Sequence, residues 1–170
     1  VLVFVSFEYV SAHESRLGND RVPNVDDVYN FLGNFVMKFS PDASEELVAD
    51  RIMSGFEAGP SRLDTSDGVT VFWGFKYKEA TSQSVVIYGA NGDVGLIAAP
   101  QNIVAIRGSF ADPVTTLADY ENLIMKMGRE PLVSVFVHTQ EDLNAYYPIL
   151  LRWIQADLLG FNFDCSPRSV

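Results

Sequence analysis

The sequence has little cysteine and histidine, the residues from which disulfides and zinc sites are built. It contains one cysteine, Cys165, so no disulfide can form within the chain. This favours a cytoplasmic location, although a periplasmic or secreted one stays open. The two histidines, His13 and His138, do not stand at metal-ligand spacing from another histidine, a cysteine or a carboxylate. We therefore expect no metal and no cofactor.

Long apolar runs are also missing. None approaches the ~20 residues that a membrane-spanning helix needs, so we expect no membrane span. The serines do not occur in the pattern of a nucleophile elbow. Hydrophobic residues nevertheless make up 48% of the 170 residues, which is enough to build a core. Because the chain also shows no linker and no repeat, the sequence predicts a single globular domain over residues 1–170.

Basic residues are scarce, and charge is distributed unevenly. The chain has 22 Asp and Glu against 12 Lys and Arg, a formal charge of −10. Residues 61–110 hold four acids and four bases, whereas both flanking regions carry an excess of acid. The neutral middle is predicted to form strands and the flanks mainly helices, so the acid should lie on helical surface. Such a surface repels nucleic acid and anionic membranes and suits a basic protein partner.

The N-terminal part is predicted to hold one strand and two helices. Residues 1–10 are β-branched and aromatic, as is typical of a strand. Asn24 is a suitable N-cap, and apolar residues then recur at helical spacing over 25–39. Ser40-Pro41 predicts the start of a second helix over 41–57, and Gly59-Pro60 its end.

The middle of the chain has the pattern of an antiparallel meander. Residues 69–78 alternate between apolar and polar side chains, as in a half-buried strand. Two further apolar runs, 84–90 and 93–99, flank Asn91-Gly92, which is the strongest short-range signal of a hairpin. With a further strand at 102–108, the sequence predicts four strands joined in order.

The C-terminal part is predicted to alternate between helix and strand. Asp112-Pro113 opens a helix, and a strand follows at 132–138. Thr139 and Asp142 then resemble a capping box at the start of a helix over 140–159. The fold class is therefore α+β, with a mixed, mostly antiparallel sheet of five or six strands. About four helices should cover it mainly on one face, and the C-terminal order allows one parallel pair.

One segment resembles a nucleotide-binding loop. The run Val85-Val86-Ile87-Tyr88-Gly89-Ala90-Asn91-Gly92-Asp93-Val94-Gly95 has an apolar strand and glycines at every third position, and is locally similar to the loop of short-chain dehydrogenases. That loop must open a long helix, but Pro100 and another predicted strand follow closely. We therefore interpret the run as a hairpin and expect no dinucleotide.

Two functional interpretations follow. The first is a non-enzymatic acidic binding protein that caps a basic protein partner, the niche of immunity proteins and enzyme inhibitors. It rests on size and charge and not on a family match. Its candidate partner-binding residues are Asp26, Asp27, Glu45, Glu46, Glu141 and Asp142. The alternative explanation of these acids is that they only solvate the helices and stabilise their N-termini.

The second interpretation is a small enzyme or small-ligand-binding domain with a pocket near His138. This histidine follows a predicted strand and precedes a helix, and ligands gather at the carboxyl ends of strands in open α/β sheets. With Asp164 or Glu141 nearby, it is a candidate general base. The alternative is a strand-end residue whose ring is bonded to the backbone.

Overall fold

A computed structural model gives the structure of the protein and describes residues 20–39, 42–101, 117–126 and 132–154. Within these residues the chain is α+β, with four helices and seven strands. The helices are α1 (Val25–Leu32), α2 (Val48–Ser54), α3 (Leu117–Lys126) and α4 (Gln140–Trp153). The strands are β1 (Val36–Met37), β2 (Glu46–Leu47), β3 (Ala58–Asp64), β4 (Thr70–Lys76), β5 (Glu79–Tyr88), β6 (Val94–Gln101) and β7 (Leu132–Phe136).

Five of the strands form one antiparallel sheet in the order β3-β4-β5-β6-β7. The predicted meander is confirmed for β4, β5 and β6, and β3 precedes them as a strand that the sequence did not predict. The parallel pair that the C-terminal order allowed is not found in the described part of the chain, where β7 pairs antiparallel with β6. The predicted strands at 1–10 and 102–108 lie outside the described residues.

Helices cover both faces of this sheet, whereas the sequence predicted cover mainly on one. One apolar cluster joins α1 and α2 to the face that presents Val86 and Ile97, and a second joins α4 to the opposite face around Val85 and Ile87. Because consecutive residues of a strand point to opposite faces, β5 and β6 are buried on both sides. Their unbroken apolar runs are the sequence pattern of a sheet that is covered twice.

The two N-terminal helices are much shorter than the sequence predicted. The helix over 25–39 ends at Leu32, because Gly33 adopts a positive φ of 58° that terminates it. The helix predicted over 41–57 begins only at Val48, and the strands β1 and β2 pair in a separate two-stranded ribbon. Gly59-Pro60 does not end a helix but lies in β3, an edge strand where proline and a register shift are tolerated.

The glycine-rich run is a hairpin turn, as predicted. Gly92 has a φ of 84°, and its N–H donates to the carbonyl of Gly89. Gly89 and Gly95 have a different reason to be glycine, because Tyr146 of α4 packs directly on them. A Cβ on Gly95 would lie 2.6 Å from Cδ2 and Cζ of the Tyr146 ring. The glycine spacing that resembled a nucleotide-binding loop thus makes room for Tyr146 of helix α4 to pack on the hairpin.

Helix α4 begins as the sequence predicted. Thr139 is its N-cap and accepts a hydrogen bond from the backbone N–H of Asp142. The helix continues through Pro148 and buries Leu150 and Trp153 against the sheet. None of the helices in the described ranges is long and apolar enough to cross a membrane.

Candidate functional site

Two hairpin turns lie side by side at one end of the five-stranded sheet. They are residues 65–69, between β3 and β4, and residues 89–93, between β5 and β6. Antiparallel strands alternate in direction, so both turns fall at the same end, which we call the turn end. The turns touch one another, since a Cβ on Gly68 would lie 3.2 Å from the Cβ of Ala90.

Helices α1 and α4 also begin at the turn end. The backbone N–H of Asn24, the N-cap of α1, donates to the Tyr88 hydroxyl over 3.2 Å. Strand β7 pairs Leu132 with Gln101 and Phe136 with Ile97, so it runs toward the turn end. Helix α4 follows β7 in the chain and therefore begins at the turn end. The first turns of both helices therefore lie close to the two hairpin turns.

This arrangement collects acid from segments that are far apart in the chain. Among the described residues, the turn end has eight carboxylates and two guanidinium groups. The carboxylates are those of Asp20, Asp26, Asp27, Asp64, Asp67, Asp93, Glu141 and Asp142, and the guanidinium groups are those of Arg21 and Arg62. One of the two is already neutralised, because Arg62 forms an ion pair of 2.9 Å with Asp64.

Four of the six predicted partner-binding acids lie at the turn end, and two do not. Asp26 and Asp27 occupy the first turn of α1, and Glu141 and Asp142 that of α4, on the two sides of the sheet. By contrast, Glu45 and Glu46 lie at the β1–β2 ribbon and are exposed there. Burial lowers the pKa of Arg51, and the charge of Glu46 opposes this with a smaller effect.

Sequence reasoning missed the acids contributed by the hairpin turns. Asp64, Asp67 and Asp93 belong to the stretch that has no net charge. The described lysines of that stretch, Lys76 and Lys78, lie at the opposite hairpin between β4 and β5. The net charge of the stretch cannot show that its acids and its lysines lie at opposite ends of the strands. The turn residues around Gly68 and Gly92 could have shown that these acids lie at hairpin turns.

A cleft of about 310 Å³ opens between the hairpin turns and the start of α1. Six of the residues that line it carry its polar and aromatic groups: Asn24, Asp27, Arg62, Thr70, Phe72 and Tyr88. The rings of Phe72 and Tyr88 meet edge to face with centroids 5.6 Å apart. The cleft therefore has aromatic walls and charged groups of both signs.

Hydrogen bonds hold Tyr88 and Asp27 together on one side of the cleft. The Tyr88 hydroxyl donates to Oδ2 of Asp27 over 3.2 Å while its oxygen accepts from the backbone of Asn24. Burial, with a further contribution from the Asp27 charge, raises the pKa of Tyr88 to about 12. The phenol therefore stays protonated at neutral pH and acts as a donor to the carboxylate.

Arg62 is held in place on the other side of the cleft. Its Nε and Nη2 atoms lie 3.0 and 2.9 Å from Oδ1 of Asp64, and Thr70 Oγ1 donates to the same oxygen over 2.7 Å. The guanidinium carbon lies 5.5 Å from the centroid of the Phe72 ring. Because Nη1 also donates to the carbonyl of Asp20, the guanidinium fork is engaged within the protein.

His138 is engaged in a structural contact. Its ring stacks on Phe31 with centroids 4.0 Å apart, and Nε2 lies 2.9 Å from the carbonyl oxygen of Phe31 in the last turns of α1. No hydrogen bond joins His138 to Glu141 in the described part of the chain, and Asp164 lies outside it. The histidine thus links α1 to the start of α4, in the way that its alternative interpretation predicted.

The described residues hold no group of three or more His, Cys, Asp or Glu side chains arranged to bind a metal ion. Comparison of the chain with protein-family models, with curated proteins and with solved structures gave no match.

Proposed function

We propose that this protein is an acidic binding protein whose turn end caps a basic surface of a protein partner. The observation that carries the proposal is the convergence of carboxylates from four separate segments on one end of the sheet. Carboxylates gathered at one end of a folded scaffold give that end a negative potential, which a basic partner neutralises. A field of one sign also steers a partner of opposite charge to the surface.

The role of these acids as helix-terminal residues does not account for all of them. Asp26 and Asp27 lie where the dipole of α1 favours acid, and Asp142 serves the N-cap of α4. Asp93 and Asp67, however, lie in hairpin turns that contain no helix terminus. Only the tertiary fold brings Asp67 and Asp93 to the same end of the sheet as the two helix starts. We assign to partner binding these acids, which the helix termini do not explain.

The test compares two doubly neutralised variants of equal net charge. Asp26→Asn with Asp93→Asn removes two charges from the turn end, and Glu45→Gln with Glu46→Gln removes two from the ribbon. The partner is first isolated on immobilised wild-type protein at low salt, and its association is then measured by stopped flow. We expect the turn-end variant to associate about three- to tenfold more slowly at low salt, and the ribbon variant to stay within about twofold of the wild type.

Salt dependence separates charge from shape in this experiment. The Debye length falls from about 10 Å at 0.1 M to about 3 Å at 1 M salt, so the difference between the two variants should disappear at high salt. Equal slowing of both variants would show that only net charge matters. An association rate that does not depend on salt would remove the turn end from the mechanism.

A further inference from the structure

The cleft at the turn end has a shape and a polarity that fit a particular group. Its volume of about 310 Å³ lies at the small end of ligand-binding cavities. It is walled by the start of α1, by β3 and β4 and by the β5–β6 turn, so it opens in the middle of the acidic surface. A group that enters it is therefore surrounded by the carboxylates of the turn end.

An anionic ligand would have to share the cation of the cleft, because each guanidinium nitrogen of Arg62 already has one partner within the protein. The cation among its lining residues is Arg62, and all three of its guanidinium nitrogens already face oxygen atoms of Asp64 and Asp20. A carboxylate or phosphate would be repelled by the charge of Asp64, which Thr70 and Arg62 hold beside the cleft. The polarity of the cleft thus favours a cation.

Asp27 offers such a cation an acceptor. Its Oδ2 atom takes the hydrogen bond from Tyr88, and no described residue donates to Oδ1. The backbone N–H of Asn24 fixes the Tyr88 oxygen from the other side, so the carboxylate is held in one orientation. An acceptor that is already positioned binds a cationic donor at a lower entropic cost than a mobile side chain would.

The aromatic walls favour a guanidinium over an ammonium group. A guanidinium is planar, weakly hydrated and able to stack on rings while its N–H groups bond to a carboxylate. Arg62 shows both contacts within the same cleft, because it lies over Phe72 and holds Asp64. A second guanidinium would make the same pair of contacts with Tyr88 and Asp27.

We propose that the cleft receives one arginine side chain of the basic partner, with its guanidinium against Tyr88 and bonded to the Asp27 carboxylate. This inference rests on the proposed function and names the residue of the partner that the turn end recognises. It makes Asp27 a specific anchor, whereas the surrounding acids act through their collective charge.

The test uses N-acetyl-arginine amide as the probe and its neutral isostere N-acetyl-citrulline amide as the matched ligand. Amide chemical shifts of the full chain are followed by NMR during titration. We expect saturable shifts at Gly89, Ala90 and Gly92 with the arginine probe, and binding about fivefold or more weaker with citrulline, which lacks the charge.

Two single variants of equal charge locate the anchor. Asp27→Asn keeps an oxygen that accepts from Tyr88 but loses the negative charge, and should weaken the arginine probe about fivefold or more. Glu45→Gln changes an exposed acid of the β1–β2 ribbon, away from the turn end, and should leave the affinity within about twofold. Equal binding of citrulline and arginine, or an unchanged affinity in Asp27→Asn, would overturn the proposal.

The outcomes also separate this proposal from the one on which it rests. If Asp27→Asn binds the probe like the wild type while the partner still associates in a salt-dependent way with the turn end, the cleft is not the anchor and the proposed function stands. If the probe binds as expected but neutralising Asp26 and Asp93 leaves partner association unchanged, the cleft is an arginine site and the capping function is wrong.

Discussion

Replacing Gly95 by alanine tests whether the β5–β6 hairpin needs glycine at this position so that helix α4 can pack on it. The added methyl group would lie 2.6 Å from Cδ2 and Cζ of Tyr146, and closer still to Cε2, whereas carbon atoms in contact are separated by about 3.5–4.0 Å. Gly95 is buried on a central strand, so the backbone cannot move aside. The Tyr146 ring must therefore shift by about 1 Å and lose part of its packing.

The expected cost follows from overpacking of a well-filled contact. Inserting a methyl group into such a site costs about 1–3 kcal/mol, so we expect Gly95→Ala to lower the free energy of unfolding by about 2 kcal/mol. For a chain of this length that corresponds to a fall in Tm of about 4–8 °C. Tyr146→Ala should cost about 2 kcal/mol by itself, because the ring is half-buried.

The double variant tests whether contact with the Tyr146 ring causes the loss of stability in Gly95→Ala. Replacing Tyr146 by alanine removes the three atoms nearest the new methyl group, so Gly95→Ala with Tyr146→Ala should cost about 1 kcal/mol or more less than the sum of the two single changes. Urea denaturation followed by tryptophan fluorescence is a suitable assay, because Trp73 of the sheet and Trp153 of α4 meet at 6.4 Å. Gly92→Asn is the control: no atom lies within 4 Å of its Cβ position, so its cost reports only the positive φ of 84° and should not depend on Tyr146. Additivity within about 0.5 kcal/mol would refute the proposed contact.

Two further predictions concern buried polar groups. The pKa of Tyr88, about 12 against its usual 10.0, favours the protonated phenol in the folded state, so the stabilisation is present below pH 10 and lost as the pH rises from 10 to 12. Solvent screening of this half-exposed group reduces the loss to about 1 kcal/mol, and Tyr88→Phe should abolish it when urea midpoints at the two ends of that range are compared. Arg51 is 4% exposed and bonds to Ser84 and to the Gln83 carbonyl, with no carboxylate within ion-pair distance among the described residues. Arg51→Met should therefore cost about 1 kcal/mol and Arg51→Ala about 3 kcal/mol in urea denaturation, and the reverse ranking would contradict this account of the site.

The elements that were predicted correctly are those with strong local signals. Asn91-Gly92 fixes a hairpin because the turn needs positive φ, and neighbouring residues alone satisfy that need. The capping contact between Thr139 and Asp142 is also local and formed as expected. The helix predicted over 25–39 failed beyond Gly33, because Val36 and Met37 gain their backbone partners from β2, ten residues further along the chain.

The candidate site likewise combines features that have local signals in the sequence with features that depend on distant residues. From the sequence, the acids of the predicted helices were visible and those of the hairpin turns were not. A window sum cancels Asp64, Asp67 and Asp93 against bases that include Lys76 and Lys78, which lie at the other end of the strands. The cleft could not be predicted at all. Tyr88 and Asp27 are 61 residues apart, and no local pattern records their hydrogen bond.

The sequence by itself determined the α+β class, the β5–β6 hairpin and the start of α4, since these depend on dihedral preferences and hydrogen bonds between near neighbours. It also determined the excess of acid. Only the tertiary structure decided that helices cover both faces of the sheet, that Gly89 and Gly95 serve Tyr146, and that the acids gather at the turn end around a cleft. These features depend on which distant surfaces bury one another, and burial is a property of the whole fold that no single segment encodes.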